Sequence, residues 1–370
     1  MPHARRTLAA AGLALLAGLT LAPSAPAATG PHPTDGRTTD GRTTAGRTTD
    51  APTAADHTDR ADRSGRAGRA GRAGRARVST AYVLPGDRVY PEGIGADPRS
   101  GALYVSSFTT GTIYRITPGQ QAAEVFLPAG TDGRTTAGGL KVDRAGRLWV
   151  VDRGGVSVYA TGTRRLLARF ETAGPGSWLN DVALAPDGTA YLTDSTLGVV
   201  HHVTPAQLRK AMATGRPAAL HTAFDLAAAL DGLPPGFALN GIAADPSGRY
   251  LLTVDMVGGG LYRLDPASGG VSRVDLHGAV LTHADGLELR HGTLWVAHNS
   301  SNTISRLRLS ADAGSARLER RLTDPALQVP TTLVRRDGHL LVVRSQFDKG
   351  GPMGPGTPEA PFTVAAVHGI

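Results

Sequence analysis

The chain has 370 residues, no cysteine, and 39 Lys and Arg against 31 Asp and Glu, which gives a net charge of +8. Residues 1–78 hold 12 Arg and six Asp, so they carry +6 and residues 79–370 carry only +2. We therefore expect no nucleic-acid-binding surface on the nearly neutral part. The lack of cysteine excludes disulfides, thiolate metal sites and a cysteine nucleophile.

The first 27 residues have the layout of a secretory signal peptide. Arg5 and Arg6 precede an apolar run from Leu8 to Leu21, and Ala25-Pro26-Ala27 offers small residues for cleavage. The apolar run is too short to span a membrane. We therefore expect a secreted, extracellular protein without a membrane partner, and the arginine pair leaves the twin-arginine and the general export routes both open.

Residues 28–78 form a low-complexity segment. Asp35-Gly36-Arg37-Thr38-Thr39 is repeated at once, and Gly65-Arg66-Ala67 opens a run of similar triplets. Almost no large apolar residue is present to offset the entropy cost of ordering, so we expect a disordered Thr/Gly/Arg-rich linker. Its arginines allow either a tether to anionic polymers or a hydrated spacer, and the easy hydration of their charges favours the spacer.

Residues 79–370 repeat one pattern six times. Each repeat has a short apolar strand, a glycine turn and a second strand with one large residue. These large residues follow one another at spacings of 45, 42, 61, 43 and 46 residues: Tyr104, Trp149, Tyr191, Leu252, Trp295 and Leu341. Short strands, glycine turns and a period of about 45 residues predict an all-β fold, a six-bladed β-propeller over residues 79–370.

The one long spacing contains an insert from about Pro205 to Pro235. We expect it to be partly helical, at residues 206–210 and 224–230. Trp149 and Trp295 occupy the repeated strand position, so we expect them in the core of the blades rather than stacked on a ligand.

The two ends of the repeat region predict how the ring closes. Thr80–Leu84 is expected to be the outer strand of the last blade, and Phe362–Val367 its third strand, after a loop from Gly350 to Pro361. Closure of this kind removes the exposed sheet edges that promote aggregation.

One position in each repeat, two residues before the apolar residue of the first strand, is predicted to lie on a ring around the central channel. It holds mainly oxygen ligands: Glu92, Gly138, Asn180, Asn240, Asp285 and Thr331. Two carboxylates and two carboxamides suit Ca²⁺, with water in the remaining positions, whereas zinc or copper would favour His or Cys. The sequence thus predicts Ca²⁺, or another divalent cation, bound by Glu92, Asn180, Asn240 and Asp285.

An alternative explanation needs no metal. Asn240-Gly241 and Asp285-Gly286 are also typical turn dipeptides at the start of a strand. Glu92 fits this alternative poorly because glutamate is not a favoured turn residue.

Four stretches resemble the senescence-marker-protein, gluconolactonase and luciferin-regenerating-enzyme family of six-bladed propellers: Pro91-Glu92-Gly93, Leu179-Asn180-Asp181-Val182-Ala183, Leu239-Asn240-Gly241-Ile242 and Ala284-Asp285-Gly286-Leu287. In that family a Glu in the first blade, an Asn in the fourth and an Asp in the fifth bind a divalent metal. An Asn in the third blade helps to bind substrate or metal. The resemblance implies these roles for Glu92, Asn240, Asp285 and Asn180, respectively.

The same resemblance implies a Ca²⁺-dependent hydrolase of lactones or small esters, with a small-molecule substrate such as a sugar lactone, and we expect a monomer. The ion would polarise the carbonyl while a general base activates water. The resemblance makes Asp285 the base; His283, two residues away, is the alternative, and His298 is a weaker candidate. A second hypothesis is a non-catalytic extracellular propeller that binds a ligand or a protein partner around a structural ion. A base poised beside the ring would distinguish the two.

Overall fold

A computed structural model describes residues 76–230 and 238–370 of the chain. The predicted signal peptide at residues 1–27 and nearly all of the predicted linker at 28–78 lie outside the described residues. The first strand, β1, spans Arg77–Leu84 and so begins two residues before the predicted start of the propeller.

The strands form six sheets, one for each predicted repeat. Blades one to three contain β2 (Pro91–Ala96), β3 (Leu103–Ser107), β4 (Ile113–Ile116) and β5 (Glu124–Leu127); β6 (Leu140–Val142), β7 (Arg147–Asp152), β8 (Gly155–Ala160) and β9 (Leu166–Glu171); and β10 (Leu179–Leu184), β11 (Ala190–Asp194), β12 (Val199–Val203) and β14 (His221–Asp225). Blades four to six contain β15 (Leu239–Ala244), β16 (Leu251–Asp255), β17 (Leu261–Leu264) and β18 (Val271–Arg273); β19 (Ala284–Arg290), β20 (Thr293–His298), β21 (Thr303–Leu309) and β22 (Ala316–Thr323); and β23 (Pro330–Arg336), β24 (His339–Arg344), β25 (Phe362–His368) and β1. The predicted six-bladed β-propeller is confirmed.

The last blade combines strands from both ends of the described region. Its order is β23, β24, β25, β1, and β1 pairs antiparallel with β25 from Arg77 opposite His368 to Leu84 opposite Phe362. The loop between β24 and β25 contains the predicted Gly350–Pro361 segment. The predicted closure is therefore confirmed, because β1 pairs with β25 and covers the edge that β25 would otherwise expose.

The insert follows the third strand of blade three and itself contains the fourth strand, β14. It begins with helix α1 (Pro205–Thr214), where the Thr204 hydroxyl accepts a hydrogen bond from the Gln207 backbone N–H and the Gln207 side chain caps Thr204 in return. A two-residue strand, β13 (Ala218–Ala219), then adds to β9 of blade two in parallel. The helical prediction for 206–210 is confirmed, but 224–230 is only half right, because residues 224–225 end strand β14 and the helix is a short 3₁₀ turn at Ala227–Leu230. Two further 3₁₀ turns lie at Thr131–Gly133 and Pro325–Leu327.

The hydrophobic core is divided into six clusters, and each lies between two neighbouring blades. Trp149 is fully buried in the cluster between blades two and three, and Trp295 is buried between blades five and six. Both are core residues, as predicted. Full burial of a Val, Leu, Ile, Phe or Met side chain contributes about 1.5–3 kcal/mol, so the apolar contacts within each cluster hold each blade against the next.

The first strand of each blade is the one nearest the channel, and these inner strands adjoin one another around the ring in the order β2, β6, β10, β15, β19, β23. No helix among the described residues combines the length and the apolar character that crossing a membrane would require.

Candidate metal centre

The predicted ring position is the second residue of the inner strand in five blades. These residues are Glu92 in β2, Asn180 in β10, Asn240 in β15, Asp285 in β19 and Thr331 in β23. In blade two the ring position is Gly138, two residues before β6. The repeat therefore places the predicted ligands at one level of adjoining inner strands.

A β-bulge at the ring position recurs in all five of these strands. In blade one, Pro91 pairs with Ser107 and Ile94 with Val105, so Glu92 and Gly93 together face one residue of β3. The same register shift occurs in β10, β15, β19 and β23. A bulge bends the strand and re-aims a side chain, and here it interrupts the pairing at the residue that carries each predicted ligand.

The glycines that follow ring residues are required by the close approach of neighbouring inner strands. A Cβ atom on Gly241 would lie 2.2 Å from the Asp285 carbonyl oxygen, and one on Gly286 would lie 2.8 Å from the Thr331 carbonyl oxygen. Asn240 and Asp285 lie inside strands, and neither Gly241 nor Gly286 has a positive φ. The alternative in which these pairs are turn dipeptides is therefore wrong.

Buried hydroxyl groups join the inner strands of neighbouring blades. The Ser106 hydroxyl accepts a hydrogen bond from Gly93 N (2.7 Å) and donates one to Gly138 O (2.7 Å). Thr331, the ring residue of blade six, donates to the Glu92 carbonyl oxygen at 2.8 Å. The hydroxyl of Thr331 thus holds the backbone of a predicted ligand and does not offer its proton elsewhere.

Three of the four predicted ligands carry a buried oxygen atom without a hydrogen-bond partner in the described part of the chain: Glu92 Oε2, Asn180 Oδ1 and Asn240 Oδ1. The orientation of the Asn180 amide follows from its neighbour. Ser195 donates its one hydroxyl proton to the Leu239 carbonyl, so its oxygen must accept from Asn180 Nδ2 at 3.1 Å. Asn180 Oδ1 is then the atom left without a partner.

Asp285, the fourth predicted ligand, is held through one oxygen. Asn299, at the start of the β20–β21 turn, donates from Nδ2 to Asp285 Oδ2 at 2.8 Å, and both side chains are buried. Burial raises the pKa of Asp285 to about 8; the bond from Asn299 lowers it and the charge of Asp181 raises it further. Asn299 follows His298 directly in the sequence, but no repeated motif marks it as a site residue.

Two further carboxyl groups, those of Glu92 and Asp181, lie close to Asp285 and interact with it. Burial raises the pKa of Glu92 well above its usual range, with further increases from Asp285 and Asp181 and an opposing effect of Lys141. Asp181 lies next to the ring, and its two oxygens accept from Val182 N (2.8 Å) and Ile242 N (3.3 Å). It contributes negative charge but uses its oxygens to join β10 to β15.

These residues fit a hard divalent cation. Buried carboxylates that raise one another's pKa, beside carboxamide oxygens without donors, favour the binding of positive charge. Across residues 76–230 and 238–370, no group of three or more His, Cys, Asp or Glu side chains is arranged to hold a metal. The fit therefore depends on the mixed set of two carboxylates and two carboxamides, with the carboxamides as necessary members.

The two histidine candidates for a base lie in different surroundings. His298 is buried inside blade five, with Nδ1 2.8 Å from Thr282 O and Nε2 2.9 Å from Ser305 Oγ. Burial lowers the pKa of His298 to about 4, so it is a neutral structural residue. His283 is exposed on the rim just before β19, where its backbone N–H donates to Met256 O. The structure thus places Asp285 in the ring and His283 at its edge.

Comparison with known proteins gives one family and several solved structures of the same fold. The profile of the SMP-30/Gluconolactonase/LRE-like region matches residues 90–326. No curated protein sequence matches the chain. Among solved structures, the calcium-binding protein regucalcin from Agrobacterium tumefaciens aligns with 17% identity and a TM-score of 0.52, over 79% of this chain and 97% of its own.

Two other solved structures have the same fold. The allergen Mala s 1 from Malassezia sympodialis aligns with 15% identity and a TM-score of 0.54, over 78% of this chain and 95% of its own. Virginiamycin B lyase from Staphylococcus aureus aligns with 10% identity and a TM-score of 0.51, over 79% and 99%. At these identities the likeness shows the fold alone.

Proposed function

The chain belongs to the SMP-30/gluconolactonase/LRE-like family, and from that premise we propose that it is a hydrolase of lactones or small esters with a divalent cation, Ca²⁺, in the central channel. Glu92, Asn180, Asn240 and Asp285 would hold the ion. The observation that carries the proposal is the set of three buried oxygens, on Glu92, Asn180 and Asn240, that have no donor among the described residues.

A cation would stabilise these three oxygens. A buried polar atom without a partner costs about 1–3 kcal/mol, and more when it carries charge. One cation among these oxygens would offset several such costs at once, and an all-oxygen set is the kind that Ca²⁺ prefers. The description of the regucalcin from A. tumefaciens as a calcium-binding protein supports the choice of Ca²⁺.

In this proposal the ion would polarise the carbonyl of the lactone or ester and stabilise the negative charge that develops on its oxygen. The residues of the chain supply the positioning. Ser195 holds the Asn180 amide with its oxygen turned away from β11, so that Asn180 can contact ion or substrate. Asn299 holds Asp285 Oδ2, which leaves Oδ1 as the candidate ligand.

We assign the proton-accepting role to Asp285. A carboxylate that binds a cation through both oxygens is a poor base, but Asn299 turns Oδ2 of Asp285 away from that arrangement. Oδ2 retains a second lone pair that can accept a proton from water. His283 is the second candidate because it is exposed on the same rim.

The test is hydrolysis of δ-gluconolactone and of p-nitrophenyl acetate, with EDTA and after Ca²⁺ is restored. We expect activity that EDTA abolishes and Ca²⁺ recovers. Asp285→Asn should remove it, whereas His283→Gln should retain kcat. If His283→Gln loses kcat while Ca²⁺ binding is unchanged, His283 is the base. Ca²⁺ binding without turnover of a panel of lactones and esters would instead support a non-catalytic propeller.

We also propose that the protein is exported and monomeric, on the sequence of residues 1–27 and on the closed ring of blades. N-terminal sequencing of protein recovered from the culture medium would find cleavage near residue 27. Sedimentation equilibrium would give the mass of one chain. Retention of the first 27 residues, or a mass of two chains, would contradict the respective proposal.

A further inference from the structure

A cavity of about 570 Å³ lies beside the ring, outside the predicted metal site. Three segments line it: residues 132–136 before blade two, the β7–β8 turn with strand β9, and residues 215–217 after helix α1. Thr136, Asp152 and Arg153 also line the small recess that contains Glu92, Gly138 and Asn180. The cavity and the ring therefore share a wall.

Four arginines line this cavity, and among the described residues only Arg169 of these four forms ion pairs with carboxylates. Arg169 binds Asp152 through both of its terminal nitrogens, with Nη2 3.0 Å from Oδ1, and its Nε lies 3.5 Å from a Glu171 oxygen. These contacts occupy two of the three acidic residues of the lining. The third, Asp132, is exposed, and its carboxylate lies close enough to the Tyr159 hydroxyl to raise the pKa of Tyr159.

Arg134 is a buried positive charge without a carboxylate partner. Its side chain is only 4% exposed, and it donates from Nε to Gly111 O (2.8 Å) and from Nη1 to the Tyr159 hydroxyl (2.7 Å). Nη2 has no hydrogen-bond partner among the described residues, and Arg134 takes part in none of the ion pairs there. The nearest carboxylate, on Asp132, is exposed and makes no direct ion pair with Arg134, so the buried charge is only partly compensated and a bound anion would stabilise it.

Arg153 adds a second guanidinium at the wall shared with the ring, and it makes no ion pair within residues 76–230 and 238–370. Its Cζ atom lies 3.8 Å from the centre of the Trp178 ring, which fixes the plane of the guanidinium group. A stacked guanidinium keeps its N–H edges available for an oxyanion, and this geometry suits two-point binding of carboxylate or phosphate. Partial burial lowers the pKa of Arg153, as expected for a cation that lacks an anionic partner. Arg216, exposed at the third segment, completes the set.

We propose that this cavity binds a small oxyanion, the carboxylate or phosphate group of a small molecule, with Arg153 and Arg216 as direct contacts and Arg134 as the buried positive charge. The site does not depend on the metal ring, and the proposal stands apart from the hydrolase function. Because the two sites share Thr136, Asp152 and Arg153, a molecule bound in the cavity would lie next to the ring.

The test is calorimetric titration of the full chain with inorganic phosphate and with succinate in separate experiments, in protein and buffer freed of divalent metal over a chelating resin. The resin keeps the ring free of metal without adding a soluble polycarboxylate that would compete for the cavity, so the result is independent of the hydrolase proposal. We expect saturable binding of at least one probe, with a dissociation constant of about 1 mM or lower that rises with NaCl. Binding of phosphate alone, or of succinate alone, identifies the group and supports the site.

Three variants locate the binding. Arg153→Ala and Arg216→Ala should each weaken it about tenfold, the range expected for one charge-assisted hydrogen bond. Arg317→Ala is the matched control, because Arg317 is an exposed arginine on the outer strand β22 of blade five and should leave binding unchanged. Arg134→Gln should abolish binding, but the two exposed variants carry the test if this one fails to fold. Absence of saturable binding, or equal binding by the Arg153 and Arg216 variants and the wild type, would overturn the proposal.

Discussion

Replacement of one ring carboxylate by its neutral isostere, Asp285→Asn, should have opposite effects on stability with and without Ca²⁺. The carboxamide keeps the size of the side chain and an oxygen to accept from Asn299. It removes the negative charge that raises the pKa of Glu92. The variant should therefore be more stable than the wild type in EDTA at high pH, and less stable than the wild type in Ca²⁺.

The magnitude follows from the pKa of Asp285. In the absence of a cation, burial raises that pKa from 3.8 to about 8. The folded protein therefore favours the protonated acid, and its stability falls as the pH rises from about 4 to about 8. At about 1.4 kcal/mol per pH unit, this interval sets an upper limit of about 6 kcal/mol on what Asp285→Asn can recover.

The stability that bound Ca²⁺ adds to the folded protein can be estimated separately. A ligand that binds only the folded state adds about 2.7 kcal/mol of stability at a hundredfold excess over its Kd. A variant that binds Ca²⁺ more weakly loses part or all of this stabilisation. For a domain of this size, about 1 kcal/mol corresponds to roughly 2–4 °C in Tm, so both effects are measurable.

The assay is thermal unfolding of wild type and Asp285→Asn at pH 6 and pH 9, each in EDTA and in excess Ca²⁺. Asp255→Asn is the control, since Asp255 is a buried carboxylate that accepts from Val257 N and Gly258 N at the end of β16. Its variant should lower Tm equally in both buffers. If Asp285→Asn also shifts Tm by the same amount with and without Ca²⁺, Asp285 is not a metal ligand.

Three further outcomes are expected. Because Ca²⁺ must displace the proton of Asp285, its affinity should rise by up to about tenfold per pH unit between pH 6 and pH 8; a flat profile in calorimetric titration would contradict the assignment. Asn299→Ala should weaken Ca²⁺ binding and move this pH profile upward, because the bond from Asn299 lowers the pKa of Asp285; an unchanged profile would show that Asn299 does not act on the ring. Gly138→Ala should lower the free energy of unfolding by about 1–3 kcal/mol, because its Cβ would lie 2.9 Å from Asn180 O; Gly162→Ala, where a Cβ meets nothing within 4 Å, is the control in chemical denaturation, and equal effects would refute the close-approach argument.

The fold could be predicted from the sequence because the repeat is regular. Tyr104, Trp149 and their equivalents mark the same strand in every blade, and one marked strand fixes its neighbours. The insert was predicted less well. Phe224 and Asp225 belong to an apolar and alanine-rich run that looks helical locally, yet pairing with β12 draws them into a strand. Tertiary contacts of this kind are invisible to local propensity.

The ring residues could be found by the same regularity, but the reason for their glycines could not. Asn240-Gly241 has the composition of a turn, and only the three-dimensional structure shows that Gly241 is needed where β15 passes the Asp285 carbonyl at close range. The sequence does not predict the cavity beside the ring. Arg134, Arg153 and Arg216 lie on three separated segments, and nothing in the repeat relates one to another.

A second repeated position determines how firmly three of the predicted ligands are held. The ring pattern alone does not reveal this position. The residue just after the second strand contacts the ring side chain of its own blade: Ser195 to Asn180 at 3.1 Å, Met256 to Asn240 at 3.5 Å, and Asn299 to Asp285 at 2.8 Å. A hydroxyl and a carboxamide orient their partners well, whereas a thioether is a weak acceptor. Asn240 is therefore the least constrained of these three predicted ligands and Asp285 the most, so we expect Ca²⁺ binding to order Asn240 more than it orders Asp285.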